Sequence, residues 1–305
     1  MEEFIEIIDA HSHLWLRQDT VVDGLPVRTL DRGRSLFMGG EVQMLPPFMV
    51  DGRNTAEVFL SNMDYARVGG AVVVQEFIDG LQNDYLAEVV RNYTSRFKVC
   101  LMCRWDEAGF LKQAVDLMDS GLYSGVAIPG HRLRQPLDGP EFMKMYEQME
   151  ERGMFLSLCL HESNRQLPQV ERIIAAFPRL KIAIGHFGMA PYACWKEQIL
   201  LAGHPNVFVE SGGITWLYNS EFYPYHSAVK IIRKAMDMVG VDKLMWGSDY
   251  PRTITAITYK MSYDFILKSD ILTLEEKRAF LGGNAKKFYG FGALPELPYI
   301  KNMSE

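Results

Sequence analysis

Two histidines near the start of the chain, His11 and His13, are separated by one residue and follow the apolar run of residues 4–10. On a β-strand this spacing places both imidazoles on the same side, ~6–7 Å apart along the chain. Two neutral imidazoles in that arrangement can bind one metal ion. The pair alone is equally compatible with two histidines that serve as hydrogen-bonded polar groups.

Other residues able to do chemistry follow further short apolar runs. They are Gln75, Glu76, Arg104, His161, His186, Glu210 and Asp249. Asp249 comes directly after the apolar residues 244–246. Burying a carboxylate there is costly unless a cation meets it, and a divalent cation would do so. With the H-x-H pair and the two single histidines, this indicates a mononuclear metal site. The alternative for His161 and His186 is a core histidine with both ring nitrogens hydrogen-bonded.

Eight short apolar runs alternate with helix-like segments along the chain. The runs are Phe4 to Ala10, those ending at Gln75, Arg104, Ile128, His161 and His186, one around Glu210, and one ending at Asp249. Apolar spacing near 3.6 predicts helices at Ala56 to Val68, Asp84 to Tyr93, Phe142 to Arg152, Val170 to Phe177 and Ser227 to Val239.

This alternation predicts an α/β fold with parallel strands and crossover helices, and eight repeats close into a (β/α)8 TIM barrel. The alternative is an open doubly wound sheet, but no G-x-G-x-x-G turn follows the first run. In a barrel the carboxyl ends of the strands meet on one face, where active sites of this fold lie. The polar residues at the run ends are therefore expected to converge.

We expect a single domain over residues 1–305 with two segments outside the repeat. Residues 15–54 have a loop-like composition, broken by Gly24, Gly33, Gly39, Gly40, Pro26, Pro46 and Pro47. A connection this long is usually functional, and we interpret it as an insertion after strand 1 that forms either a flap over the barrel mouth or part of a subunit interface. Residues 291–305 form a tail that is draped over the barrel or frayed.

Composition excludes several function classes. The 305 residues are 48% hydrophobic and 23% charged, with a net charge of -6 and no cluster of basic residues, which argues against a nucleic-acid surface. The start lacks a signal-peptide pattern, and no apolar run approaches the ~18 residues needed to span a membrane. The four cysteines lie in or beside apolar segments, which suits reduced thiols. They are Cys100, Cys103, Cys159 and Cys194. We expect a cytoplasmic protein that acts on a small molecule and can form a homo-oligomer.

Several segments resemble one family. They look like the amidohydrolase-related (amidohydrolase 2) family of metal-dependent barrel hydrolases, especially its sugar-lactonase and dicarboxylate-lactonase branch. The segments are IDAHSHLW, GHFG, WGSDYP, GNAKKFYG and VVVQEFIDGLQNDYLAEVVRNYTSRFKVCL. The resemblance implies that His11, His13 and Asp249 are metal ligands. It also implies His161 as a third imidazole ligand and His186 as an acid, a base or a carbonyl-polarising group beside the metal.

Two departures from the family pattern concern the fourth strand. No lysine follows it that would become carboxylated and bridge two metals, which argues against a binuclear site. The arginine that lactonases often show at its end is also missing, and His131 and Arg132 come further on. The contacts to a substrate carboxylate or hydroxyl are therefore open.

These residues support hydrolysis of a lactone of a sugar acid or related carboxylic acid. One divalent metal ion, Zn²⁺ or alternatively Mn²⁺, would lower the pKa of water from about 15.7 to about 7. Asp249 would take the proton of that water and pass it to the leaving alkoxide, and His186 would polarise the carbonyl or stabilise the oxyanion.

Four further residues are candidates for substrate binding. Arg104 suits a substrate carboxylate, or else forms an ion pair with Glu76 or Glu210. Glu210 would bind a sugar hydroxyl or orient a metal-bound histidine. Trp15 and Tyr250 would form walls of the site, or else pack under the flap.

Three other functions fit the same residues. One is a metal-dependent non-oxidative decarboxylase of an aromatic or unsaturated carboxylic acid, and another is a hydratase or a different hydrolase. The third is a non-enzymatic barrel that binds sugars, against which the intact set of histidines and Asp249 argues.

Overall fold

The computed structural model describes residues 5–192 and 194–303. In chain order, its strands β1 to β12 are Ile7–Ser12, Asp19–Val22, Leu25–Thr29, Arg34–Phe37, Gly40–Gln43, Val68–Val73, Phe97–Leu101, Gly125–Ile128, Phe155–Leu158, Lys181–Ile184, Val207–Glu210 and Leu244–Met245. The α-helices α1 to α11 are Ala56–Tyr65, Asn83–Asn92, Phe110–Asp119, Pro140–Glu151, Leu167–Ala176, Trp195–Leu200, Ile214–Leu217, His226–Val239, Met261–Leu267, Leu274–Arg278 and Asn284–Tyr289.

Eight of the described strands form one parallel sheet in the order β1, β6, β7, β8, β9, β10, β11, β12. The sheet closes on itself because the amide of Ala10 donates to the carbonyl of Trp246 and the amide of Asp249 donates to that of His11, both at 2.9 Å. At least one α-helix lies between each pair of successive strands of this eight-stranded sheet. The predicted (β/α)8 barrel is confirmed. The first strand begins at Ile7, and the predicted start at Phe4 lies outside the described residues.

Barrel strands carry buried side chains on both faces, which explains why they are continuous apolar runs in the sequence. The inner face carries compact side chains, among them Ala10, Ala127 and Ala183. Phe288 and Tyr289 of α11 pack with these residues in the same cluster. Side chains on the outer face, such as Val126, pack against the surrounding helices.

The insertion after β1 is confirmed, but the expectation that residues 15–54 are loop-like is wrong. Strands β2 to β5 form a four-stranded antiparallel sheet in chain order. Asp23 and Gly24 link β2 to β3 with φ of 51° and 79°, and Met38 and Gly39 link β4 to β5 with φ of 50° and 80°. Two central residues with positive φ make the tight turn that matches the twist of a hairpin. The glycines therefore end strands at hairpin turns and do not mark an irregular loop.

The tail after α11 contains no helix or strand up to residue 303, the last one described. Phe291 and Leu294 nevertheless pack against the start of β6, where a Cβ on Gly70 or Gly69 would lie within 3.0 Å of them. All four cysteines are free thiols. Among the described residues, no helix combines the length and the apolar character that crossing a membrane requires.

Candidate active site

A cavity of about 510 Å³ lies at the carboxyl ends of the barrel strands. Its wall includes residues that follow β1, β6, β8, β9 and β10 and the loop after β12. The antiparallel insertion supplies another part of the wall through Trp15, Phe37 and Met44. The insertion therefore borders the space into which the polar residues of the barrel point.

Three predicted metal ligands meet at the base of this cavity. The Nε2 atoms of His11 and His13 are 3.2 Å apart. Asp249 Oδ1 lies 3.1 Å from His13 Nε2 and 3.7 Å from His11 Nε2. Within residues 5–192 and 194–303, this trio is the only group of three or more His, Cys, Asp or Glu side chains whose ligand atoms all lie within 4.8 Å of one another.

Each imidazole of the trio has a further carboxylate on its other nitrogen. Glu210 Oε1 lies 2.7 Å from His11 Nδ1. Asp79 Oδ2 lies 2.9 Å from His13 Nδ1, in an ionic contact whose angle is not that of a hydrogen bond. A carboxylate beside Nδ1 favours the tautomer with the proton on that nitrogen, which leaves the lone pair on Nε2. Two lone pairs and a carboxylate oxygen then face one point, and a divalent cation fits this donor set.

The same carboxylates control protonation when no metal is bound. Burial lowers the pKa of His13, but Asp79 and Asp249 outweigh it and raise the pKa to about 10. Burial also lowers the pKa of His11, and the charge of Glu210 raises it above the usual value. Burial opposes ionisation of Asp249, yet the hydrogen bond from His13 and the nearby imidazoles hold its pKa well below the usual range. In the metal-free protein, protons supply the positive charge that these carboxylates require.

Two glycines leave room for the pair formed by His11 and Glu210. A Cβ on Gly247 would lie 2.8 Å from both Glu210 Oε2 and His11 Cβ. A Cβ on Gly212 would lie 2.8 Å from Glu210 Oε2 and 2.8 Å from His11 Cγ. Any larger residue at either position would push against His11 or Glu210.

Asp9 fixes the loop that carries Asp249. Its buried carboxylate accepts hydrogen bonds from the amide and hydroxyl of Ser248, at 2.8 and 2.5 Å, and from the hydroxyl of Tyr259 at 2.7 Å. Burial raises the pKa of Asp9 to about 6. Beyond this anchor, Asp249 adopts a left-handed conformation with φ of 59°, and Trp216 Nε1 donates to its Oδ2 at 2.6 Å. The carboxylate is thereby held with Oδ1 toward the two histidines.

His186 lies beside the trio, with its ring centroid 4.7 Å from that of His11. Its Nδ1 lies 2.8 Å from the carbonyl oxygen of Gly212. A carbonyl can only accept, so Nδ1 carries the proton and Nε2 of the neutral ring has the lone pair. Burial, followed by the neighbouring charge of His11, lowers the pKa of His186. The neutral ring is therefore arranged to accept a proton at Nε2.

Comparison with protein families places most of the chain in one family. The model described as Amidohydrolase matches residues 8–291, which is most of the chain. The chain belongs to the amidohydrolase family. The family resemblance seen in the sequence is confirmed, and the chain is a metal-dependent enzyme of this family with a site that fits a divalent metal ion.

One curated relative of this amidohydrolase is L-fucono-1,5-lactonase of Burkholderia ambifaria, which is 31% identical over 96 residues. The match covers 28% of this chain, and the chain spans only 32% of the length of that relative.

Solved structures share the fold over most of the chain. A probable 2-pyrone-4,6-dicarboxylic acid hydrolase from Acinetobacter baumannii has a TM-score of 0.68 at 20% identity, covering 94% of this chain and 100% of its own. An amidohydrolase from Burkholderia multivorans with bound zinc has a TM-score of 0.69 at 18% identity and the same two coverages. A 5-carboxyvanillate decarboxylase from Novosphingobium aromaticivorans, in complex with manganese, has a TM-score of 0.56 at 19% identity over 77% of this chain and 80% of its own.

His161 lies in the cavity wall of this amidohydrolase but outside the trio. Its Nδ1 accepts a hydrogen bond from the amide of Ser163 at 3.0 Å, so the neutral ring carries its proton on Nε2. Coordination of a metal by Nε2 of the neutral ring would require the proton to move to Nδ1, which would break the hydrogen bond from Ser163. The role of His161 as a third imidazole ligand stays a prediction.

Of the four residues predicted to bind substrate, the structure places only Trp15 in the cavity wall. Glu210 and Tyr250 are buried away from it: Glu210 holds His11, and the ring of Tyr250 stacks on Phe59 with centroids 4.0 Å apart. Arg104 lines a smaller neighbouring cavity of about 270 Å³ and donates to Thr20 Oγ1 at 3.1 Å.

Two residues in this amidohydrolase take positions that the sequence did not reveal. Arg132 lines both cavities, and its Nε donates to both oxygens of Glu76 at 2.9 and 2.8 Å. Asp79 belongs to the short 3₁₀ turn Phe77–Asp79 and reaches His13. The signal for this turn is the pair of acids in Glu-x-x-Asp, which forms a capping box that begins three residues after the end of β6.

Proposed function

We propose that the protein hydrolyses a lactone of a sugar acid or of a related carboxylic acid. The observation that carries the proposal is the convergence of two imidazole lone pairs and Asp249 at the base of a cavity large enough for a small ring. The resemblance to a relative named as a lactonase supports a cyclic ester as substrate. Zn²⁺ is the proposed metal, with Mn²⁺ as the alternative.

His11, His13 and Asp249 would hold the metal in this proposal. When bound there, a divalent ion supplies an activated water at neutral pH and polarises the ester carbonyl. Glu210 and Asp79 keep the two Nε2 lone pairs available, and Trp216 fixes the second carboxylate oxygen of Asp249.

Two groups can receive the proton of the attacking water, and both face the cavity. Asp249 is one, and His186 Nε2 is the other. Because Nδ1 of His186 donates to Gly212, the neutral ring suits a base at Nε2 better than a donor that polarises the carbonyl. The protonated Nε2 would then return its proton to the alkoxide that leaves when the ring opens.

Arg132 is the proposed contact for a substrate carboxylate. Its guanidinium lines the central cavity, and Glu76 binds it through Nε, so its orientation is fixed. The planar fork of arginine matches a carboxylate. Arg104, the residue favoured by the sequence, would take this role only for a substrate that extends into the smaller cavity.

The test is acid release, followed with a pH indicator, on a panel of aldonolactones and dicarboxylate lactones. Protein loaded in turn with Zn²⁺ and Mn²⁺ is compared with metal-free protein. Metal-dependent acid release from one lactone class supports the proposal and names the substrate. If metal-loaded protein released no acid from any lactone of the panel, the proposal would be overturned.

Non-oxidative decarboxylation is the second candidate. The aromatic side chains of Trp15, Phe37 and Trp216 in the cavity wall favour a planar ring as an alternative ligand. A neutral base at His186 is compatible with either reaction. Carbon dioxide released from an aromatic acid without ester cleavage would identify this activity.

A further inference from the structure

We propose that Asp79 is a positioning residue that sets the metal affinity of the site through His13. The proposal rests on the metal centre described above and not on the identity of the substrate. Asp79 Oδ2 is 2.9 Å from His13 Nδ1, and the two side chains are only 4% and 12% exposed. Asp79 thus faces Nδ1 of His13 as Glu210 faces Nδ1 of His11, although only the contact of Glu210 has the geometry of a hydrogen bond.

The turn that carries Asp79 is held independently of the metal site. The amide of Phe77 donates to Glu76 Oε1 at 2.6 Å, and the amide of Glu76 donates to Asp79 Oδ2 at 3.3 Å. Behind the turn, Gln82 Nε2 donates to the carbonyl of Asp79 at 2.8 Å. This preorganised turn presents a fixed carboxylate to His13, so the imidazole does not have to find its orientation when the metal binds.

The two outer carboxylates have a common electrostatic effect. Each places a negative charge beside Nδ1 of an imidazole, which would stabilise the positive charge on a ring bound through Nε2 and make that imidazole a stronger donor. With Asp249, they place three carboxylates around two imidazoles at one end of the cavity. Removing the charge of Asp79 should therefore weaken metal binding while leaving the three ligands in place.

The experiment measures the zinc affinity of metal-free protein by competition with a chromophoric chelator, with no substrate present. Asp79→Asn keeps the side-chain size and removes the charge, and we expect zinc to bind about 10–100-fold more weakly. The matched control is Asp84→Asn, an exposed residue in the first turn of α2, which makes the same charge change without contacting the site. The visible spectrum of the Co²⁺-loaded protein should also change for Asp79→Asn and not for the control.

Unchanged zinc affinity and an unchanged Co²⁺ spectrum in Asp79→Asn would overturn the proposal. If that variant does not fold, the wild-type protein decides. Nitrogen NMR of the zinc-loaded wild type should show His13 protonated at Nδ1 and bound to metal through Nε2, and the reverse assignment would contradict the proposed role. Because neither measurement uses a substrate, failure of the lactonase proposal leaves the role of Asp79 testable.

Discussion

The Nε2 atoms of His11 and His13 lie 3.2 Å apart, although each ring has a carboxylate on its opposite nitrogen. With both rings neutral and protonated at Nδ1, two lone pairs would face each other at this distance. Either a proton or a metal cation must therefore occupy the space between them. Metal binding and protonation thus compete for the same atoms, which gives the site a measurable signature.

Zinc binding should release protons. In the metal-free protein the pKa of His13 is raised to about 10, so the ring is protonated at pH 8 and must lose that proton to coordinate. Calorimetric titration at pH 8 in buffers with different ionisation heats should show release of at least one proton. Below the raised pKa, zinc affinity should fall about tenfold for each pH unit. Identical heats in all buffers would contradict the prediction.

Removing a ligand should abolish both metal binding and activity. His11→Ala and Asp249→Ala each delete one of the three proposed ligands, so the purified variants should contain little metal and show no turnover. Their circular dichroism should resemble that of the wild type, because the barrel core is formed by other residues. His204→Ala is the matched control, since His204 is exposed and pairs with Glu171 at the surface. Wild-type metal content in either ligand variant would contradict the assignment.

His186→Asn should separate metal binding from catalysis. The imidazole lies beside the trio but is not one of its three members, so the variant should keep its metal. Loss of the base at Nε2 should lower kcat by about 10²–10⁴-fold. Metal analysis and steady-state kinetics on the same preparation provide the measurement. A metal-replete variant with full activity would remove His186 from the mechanism.

Arg132 and Arg104 should differ in their effect on acidic substrates. Losing a hydrogen bond to a charged group costs about 1.5–3 kcal/mol, so Arg132→Gln should raise KM about 10–150-fold for a lactone that bears a carboxylate. A neutral aldonolactone should be affected little. Arg104→Gln should change neither KM if the substrate stays in the central cavity. The opposite pattern would restore the assignment of Arg104 that the sequence favoured.

The barrel could be predicted from the sequence because parallel strands buried on both faces appear as short, continuous apolar runs, and these alternate with helical patterns along the whole chain. The polar residues after those runs were found for the same reason. His186 is two residues beyond β10 and Asp249 four beyond β12, so they belong to the loops that continue the strands. The insertion was misjudged because its strands are only four or five residues long and Gly24 and Gly39 were interpreted as loop residues and not as hairpin turns.

The direction in which each side chain of the site points could not be predicted from the sequence. Glu210 is the last residue of β11 and Arg104 follows β7, yet Glu210 is buried against His11 and Arg104 turns toward the smaller cavity. Asp79 was missed because it comes from a turn and not from a strand end. Which neighbour meets a given side chain depends on contacts between strands distant in the sequence, and a single sequence does not reveal them.

Gly247→Ala should test whether the site depends on the glycine between Glu210 and His11. A methyl group there would lie 2.8 Å from Glu210 Oε2 and His11 Cβ and 3.1 Å from the amide nitrogen of His11, closer than packed atoms allow. Relieving this overlap should cost about 1–3 kcal/mol of unfolding free energy. Zinc affinity should fall as well, because the shift moves His11, a proposed ligand, together with Glu210. Gly203→Ala is the control, since no heavy atom lies within 4 Å of its Cβ position. Denaturant unfolding and chelator competition measure the two effects. If Gly247→Ala matched Gly203→Ala in unfolding free energy and in zinc affinity, β1 and β11 would have to separate at no cost. The close approach of His11 and Glu210 would then not be the reason for a glycine at position 247.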